Sequence, residues 1–284
     1  MRKRQLFGIV SVFGMAILAS GCITSTGQDS TKMSRNIEES TDKQVVLSER
    51  QQQILKEENL PTDYKKLTVS QKMAIASMEE MLQYAEKKYN ESFLYAGYVF
   101  KSVVEEEHMI AYPENGDKEE DCFTITKTDD GYEDNYVAVK IQDDFIDYIY
   151  DNIVSFSNDT PMRVYGTVLG ADMEKLPDAI SEVDGKVTSS LLVFLDGETF
   201  DAEDIQEFES DVASVLREHE LYGQVQFILL NKGILTELSK YNYLDYLDKK
   251  YYTIRDDLYI NAQQDRWYRT GQEAESQMFA PSGE

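Results

Sequence analysis

Ala74, Met78, Met81, Leu82, Ala85 and Tyr89 recur at the spacing of one helical face, and the stripe predicts an amphipathic helix over 70–89 with Ser70 as its cap. Such a stripe needs a partner to cover it. The following runs 93–104, 108–112, 122–127 and 136–141 are rich in aromatic and β-branched residues. Turn signals break them at Glu114-Asn115-Gly116 and Asp129-Asp130-Gly131, so they predict an antiparallel meander. A second amphipathic helix is expected over 143–156, where Phe145, Ile149, Ile153 and Phe156 share a side and Ile146 and Tyr150 widen the stripe.

Ser157-Asn158-Asp159-Thr160-Pro161 then sets polar turn formers and a proline between two apolar elements, which predicts a lobe border. Beyond it, a strand over 163–169 leads to a short Pro-interrupted helix near 173–180. The strand over 186–195 carries Leu191-Leu192-Val193-Phe194-Leu195, an uninterrupted run expected of a central strand buried on both faces. Asp201 stands where it can cap a helix striped by Ile205, Phe208, Val212, Val215 and Leu216. A strand over 224–230, a helical stretch over 234–247 and a β-rich run over 251–260 follow.

The pattern predicts an α+β fold: a helix-plus-antiparallel-meander lobe over 61–157, then a second mixed strand/helix lobe over 161–260. One continuous sheet is the alternative. Residues 23–44 are polar and lack an apolar period, and 22–60 is expected to be a flexible tether, with room for a short helix over 51–59 before Leu60-Pro61. The end, 261–284, reads as a polar tail apart from Trp267-Tyr268.

The amino terminus has a different logic. Arg2-Lys3-Arg4 precedes a mostly apolar run over 6–18, and Ala19, Ser20 and Gly21 lead to Cys22. The run is too short for a membrane span: thirteen residues rise only about 20 Å, against a hydrocarbon core of about 30 Å. This segment resembles the signal peptide of a bacterial membrane lipoprotein, with Ala19 where that family most often has leucine. The resemblance is confined to the first two dozen residues. It implies that Ala19, Ser20 and Gly21 guide processing of a 1–21 signal peptide, and that the Cys22 thiol carries a diacylglyceryl group as the first mature residue. The implied partner is the membrane, reached through that lipid, with the body facing away from the cytoplasm; two acyl chains hold a protein durably where one does so marginally.

Charge narrows the remaining partners. The chain holds 53 acids against 28 Lys and Arg, a formal net charge of −25, and loss of residues 1–21 would take this to −28. Nucleic acid is excluded as a partner, because its affinity comes largely from cationic contacts to phosphate. Basic peptides, basic protein surfaces and divalent cations remain attractive to such a surface, most of which serves as a solvated face.

Catalytic signatures are missing. His108 and His219 have no metalloprotease spacing, and there is no nucleophile turn or phosphate-cradling glycine loop. No cofactor or metal is expected. With Cys22 acylated, Cys122 has no disulfide partner within the chain and reads as a small core residue. The loops at 114–117 and 129–135 offer oxygens near a glycine, but they lack the alternating calcium pattern. Tyr241, Tyr243, Tyr246, Tyr251, Tyr252 and Tyr259 are grouped near Trp267 and Tyr268, and they suit either half-buried strand positions or an aromatic contact surface. The expected function is a non-enzymatic binding or accessory lipoprotein of the envelope. An envelope hydrolase using paired carboxylates and a solute-binding lipoprotein of a transporter are the alternatives.

Overall fold

The computed structural model describes residues 45–154, 161–261 and 266–269. The chain is α+β in two compact units, dividing between Asp134 and Asn135. The expected border at 157–161 is therefore corrected, and the helix before it belongs to the second unit. Among the described residues no helix is long and apolar enough to cross a membrane.

The first unit joins helices α1 (Glu49–Glu57) and α2 (Val69–Tyr89) to a four-stranded sheet of β1 (Phe93–Val99), β2 (His108–Pro113), β3 (Phe123–Thr128) and β4 (Gly131–Asp134). The strands pair antiparallel in chain order, which is the expected meander. Helix α2 begins at Val69, and its cap is Thr68, two residues before the expected Ser70. Thr68 accepts from the Gln71 N–H while Gln71 accepts from the Thr68 N–H, a reciprocal cap that satisfies two end donors and leaves Ser70 inside the helix. Ser48 and Gln51 form the same box on α1.

Helix α1 corrects the reading of 22–60 as tether. Leu47, Ile54 and Leu55 are buried, and Arg50 spans to two acids of α2, with Nη2 to Glu79 at 2.7 Å and Nη1 to Glu86 at 2.5 Å. The core of this unit lies between α2 and one sheet face: Met81, Leu82 and Ala85 against Phe93, Met109, Ala111, Phe123 and Ile125, all buried. Strand β1 ends at Val99 rather than 104, and 100–107 is a connecting loop.

The second unit opens with α3 (Tyr136–Val154), so the strand expected at 136–141 is corrected to helix. Tyr136, Val137, Ile141, Phe145, Ile149 and Ile153 are its buried face, and packing of that face overrides the β-preference of the Tyr-Val-Ala-Val-Lys-Ile run. Next come β5 (Met162–Ala171), β6 (Val187–Asp196), α4 (Ile205–Glu218), β7 (Tyr222–Leu230), β8 (Tyr252–Asn261) and β9 (Arg266–Arg269). They form one sheet in chain order, antiparallel except for the parallel pair β6–β7 that α4 connects.

Strand β6 lies between β5 and β7, and Leu191 to Leu195 are all buried, as the unbroken apolar run requires. Helices α3 and α4 cover one face, where Phe208 of α4 meets Phe227 edge-on at 6.0 Å. Short 3₁₀ turns cover the other. Two expected helices are absent: 173–180 is irregular up to a 3₁₀ turn at Ile180–Val183, as Leu176-Pro177 disfavours helix, and 234–247 holds two 3₁₀ turns, Leu235–Glu237 and Tyr243–Leu247. Within the expected tail, β9 adds a fifth strand.

Candidate functional site

Ala19, Ser20, Gly21 and Cys22 lie outside the described residues, as does the expected tether over 22–44. The other residues nominated by sequence are placed as follows. Cys122 is half-buried before β3; its thiol donates to the Lys118 carbonyl at 2.9 Å, and burial pushes its pKa up, the reverse of an activated nucleophile. His108 lies opposite Thr126 on β2, and its Nδ1 is 3.0 Å from the Glu106 carbonyl oxygen, so it is not positioned as the base of Cys122.

The 114–121 loop spends its oxygens internally, and in the 129–135 loop Asp134 is taken up by Tyr84, Tyr89 and Lys88 while Asp129 and Asp130 are exposed. Asp117 accepts from the N–H groups of Glu119 and Glu120, and Asp121 accepts from the Asp117 N–H at 2.7 Å, so the 114–121 loop is a set of turn locks. Among the described residues no group of three or more His, Cys, Asp or Glu side chains is arranged to hold a metal.

The tyrosine-rich segment builds the lid of the second unit. Leu192, Phe194, Ile228 and Leu230 of the sheet pack with Leu235 and Leu238, and Tyr165, Tyr243, Tyr246, Leu247 and Tyr252 close over them. Tyr243 stacks on Tyr165 with centroids 4.7 Å apart and planes within 10°, and Tyr246 tilts against Tyr251 at 4.9 Å. These rings are structural in the first instance. Tyr241 and Leu244 on the same segment, however, are 76 % and 61 % exposed.

Beside this lid, at the carboxyl ends of the parallel strands β6 and β7, a shallow cleft of about 490 Å³ is lined by residues including Glu198, Phe200, Asp201, Asn231 and Lys232. Strand ends of a parallel pair are the usual place for a ligand. Its two acids are already engaged: Glu198 pairs with Lys232 Nζ at 2.5 Å, and Asp201 accepts from the Glu203 N–H to cap the turn before α4. Asp201 is thus a cap as expected, although of the 3₁₀ turn Ala202–Asp204 that leads into α4. Paired carboxylates facing an open bond are not what this cleft presents.

One polar cluster was invisible in the sequence. Tyr148 of α3, Asp184 after the 180–183 turn and His219 at the end of α4 converge: Nδ1 of His219 is 2.9 Å from Oδ2 of Asp184 and 2.9 Å from the Tyr148 hydroxyl, which also donates to Asp184 Oδ1 at 3.1 Å. With Nδ1 carrying its proton, every bond in the trio has one donor and one acceptor. The arrangement fixes the ring and ties three segments together. The polar partners of the His219 ring are the Tyr148 phenol and the Asp184 carboxylate.

A broader theme runs through both units. Phenols donate to carboxylates throughout: Tyr95 to Glu58 at 2.7 Å, Tyr98 to Glu107 at 2.7 Å, Tyr84 and Tyr89 to Asp134 at 2.9 and 2.6 Å, Tyr132 to Glu80 at 2.9 Å and Tyr246 to Glu237 at 3.1 Å. A chain with 53 acids and 28 Lys and Arg has too few cations to partner its carboxylates, and 19 tyrosines supply neutral donors instead. Burial and the neighbouring carboxylates raise the pKa of these phenols, that of Tyr132 to about 12.

No family model matches the chain, and no curated protein matches it. A solved structure, a DUF5037 family protein from Ruminococcus gnavus ATCC 29149, aligns with 66 % of this chain and 93 % of its own at 9 % identity and a TM-score of 0.33, a likeness too distant to bear on fold or activity.

Proposed function

We propose that the chain is a membrane-anchored, surface-exposed bacterial lipoprotein whose folded body is a non-enzymatic binding or accessory module of the cell envelope. The observation that carries this is the segment Arg2-Lys3-Arg4, the apolar run over 6–18, and Ala19-Ser20-Gly21 before Cys22. Residues 23–44 are polar with no apolar period, and a chain of that length spans about 75 Å at full extension, enough to let the body work clear of the bilayer. The body offers a partner acidic and aromatic surface, including Tyr241 and Leu244.

Metabolic labelling with a clickable palmitate analogue, followed by fractionation, tests the anchor. Wild-type protein is expected in the membrane fraction with label, and Cys22→Ala is expected unlabelled and either released or unprocessed. Equal label and membrane retention in the variant would overturn the reading.

A further inference from the structure

One end of the first unit gathers exposed apolar residues within an acidic rim. The β1–β2 loop over 100–107 leaves the sheet at Val99 and re-enters at His108, which pair with each other. The β3–β4 turn at 129–130 lies at the same end, because His108 also pairs with Thr126 and Thr128 pairs with Gly131. Helix α2 starts there too. Ser77 donates to Glu107, and Tyr84 and Tyr89 further along the helix reach Asp134 toward the other end of the sheet.

The apex of the 100–107 loop is apolar and held in shape. Val103 is fully exposed and Val104 is 93 % exposed, with Phe100 partly exposed beside them. The Ser102 N–H donates to the Glu105 carbonyl at 2.9 Å, the Val104 N–H to the Ser102 hydroxyl at 3.3 Å, and Lys101 pairs with Glu106 at 2.9 Å. Val69 and Met73 are exposed on the first turns of α2 at this end. At the same end Glu105, Glu106, Asp129 and Asp130 are all exposed; of the nearby cations Lys101 pairs with Glu106, Lys127 pairs with Glu107 at 3.8 Å, and Lys72 of α2 lies over the Tyr64 ring. A pair of ordered, fully solvated valines is costly to display and is the composition of an interface centre, with a charged rim to orient the partner.

Resting on the binding-module reading above, we propose that this end docks a cationic amphipathic segment of a partner protein: apolar residues that cover Val103 and Val104, flanked by Lys or Arg that meet Glu105, Glu106, Asp129 and Asp130. Charge complementarity selects this occupant. An anionic bilayer would be repelled by the same four acids, and a second copy would bring an equally acidic rim against them.

The test uses the full acylated chain in phosphatidylcholine nanodiscs and a fluorescein-labelled amphipathic Leu/Lys peptide, read by anisotropy with empty nanodiscs subtracted. Saturable binding that weakens with salt is expected. V103D/V104D is expected to weaken it at least tenfold with an unchanged melting temperature, and E105Q/E106Q/D129N/D130N to weaken it and flatten the salt dependence. Equal affinity in all variants, or no binding by wild type, overturns the proposal. So does dimer dissociation by V103D/V104D in sedimentation, which would assign the surface to a second copy, or wild-type binding to phosphatidylglycerol vesicles that V103D/V104D abolishes, which would assign it to lipid. Acyl mass on Cys22 is read on the same preparations: acylated protein without peptide binding sinks the docking surface alone, and binding by unacylated protein sinks the anchor alone.

Discussion

Oδ1 of Asp134 accepts the Tyr89 phenol at 2.6 Å, and through this bond the last turn of α2 is fastened to the final strand of the meander. The carboxylate is 0 % exposed and also takes Tyr84 and Lys88 Nζ, the latter at 2.8 Å. Removing it strands three donors at once. Asp134→Ala is expected to destabilise the first unit by about 3–5 kcal/mol, and Tyr89→Phe, which deletes one bond to a charged acceptor, by about 1.5–3 kcal/mol. Urea denaturation followed by tryptophan-independent circular dichroism checks both; an Asp134→Ala midpoint equal to wild type would show the bond to be idle.

Alkali should unfold the protein through its tyrosines. The folded-state pKa values of Tyr89, Tyr95, Tyr98 and Tyr132 are raised by burial and by their carboxylate acceptors, Tyr132 to about 12, whereas an unfolded phenol titrates near about 10. The unfolded state therefore loses protons first. Stability is full below about pH 10 and declines as pH rises toward the folded values. Denaturant midpoints between pH 8 and 11.5, with tyrosinate absorbance followed in parallel, are expected to fall together above about pH 10. Flat midpoints across that range would contradict the phenol–carboxylate account.

On the acid side the α1–α2 clasp is the sensitive element. Burial opposes ionisation of Glu79, but bonds from Arg50, Gln83 and Ser48 prevail and hold its pKa below the usual carboxylate range. Its contribution is present above the unfolded value of about 4.3 and is lost as pH falls through the lower folded value. Arg50→Ala is expected to cost about 1–3 kcal/mol at pH 7, and progressively less as pH falls through the lowered Glu79 value. The difference between variant and wild-type melting, followed from pH 7 down into the acid range, measures this; a difference that does not shrink would contradict it.

Cys122 should react slowly. With its thiol half-buried and donating to the Lys118 carbonyl, iodoacetamide at pH 7 is expected to modify the folded protein several-fold more slowly than the urea-unfolded chain, as read by intact mass. Equal rates would show that the thiol is open.

Legibility in the sequence tracked how strongly burial enforced a period. The α2 stripe and the five-residue apolar run of β6 were readable because each has a single way to be covered. The run at 136–141 misled because its β-branched side chains satisfy strand preference locally, and only packing of Tyr136, Val137 and Ile141 with the rest of α3's buried face makes it helical. Strand β4 is four residues of polar character and offers no apolar alternation. The 234–247 region has enough apolar residues for a helix, yet they cap a sheet face through two short 3₁₀ turns, a solution set by the shape beneath. The Tyr148–Asp184–His219 cluster assembles residues from separate elements, and Val103-Val104 looked like strand until the turn was placed. Contacts of that kind carry no spacing signature.

The parallel pairing of β6 with β7 has a consequence at its first rungs. Gly223 stands opposite Ser189 with φ +132°, and any side chain there would run into the Ser189 carbonyl. The ladder cannot close with another residue at this place, whatever happens to the loops and surface around it. A side chain at position 223 is therefore expected to part the first rungs of the β6–β7 ladder while leaving the apolar run of β6 further along in place.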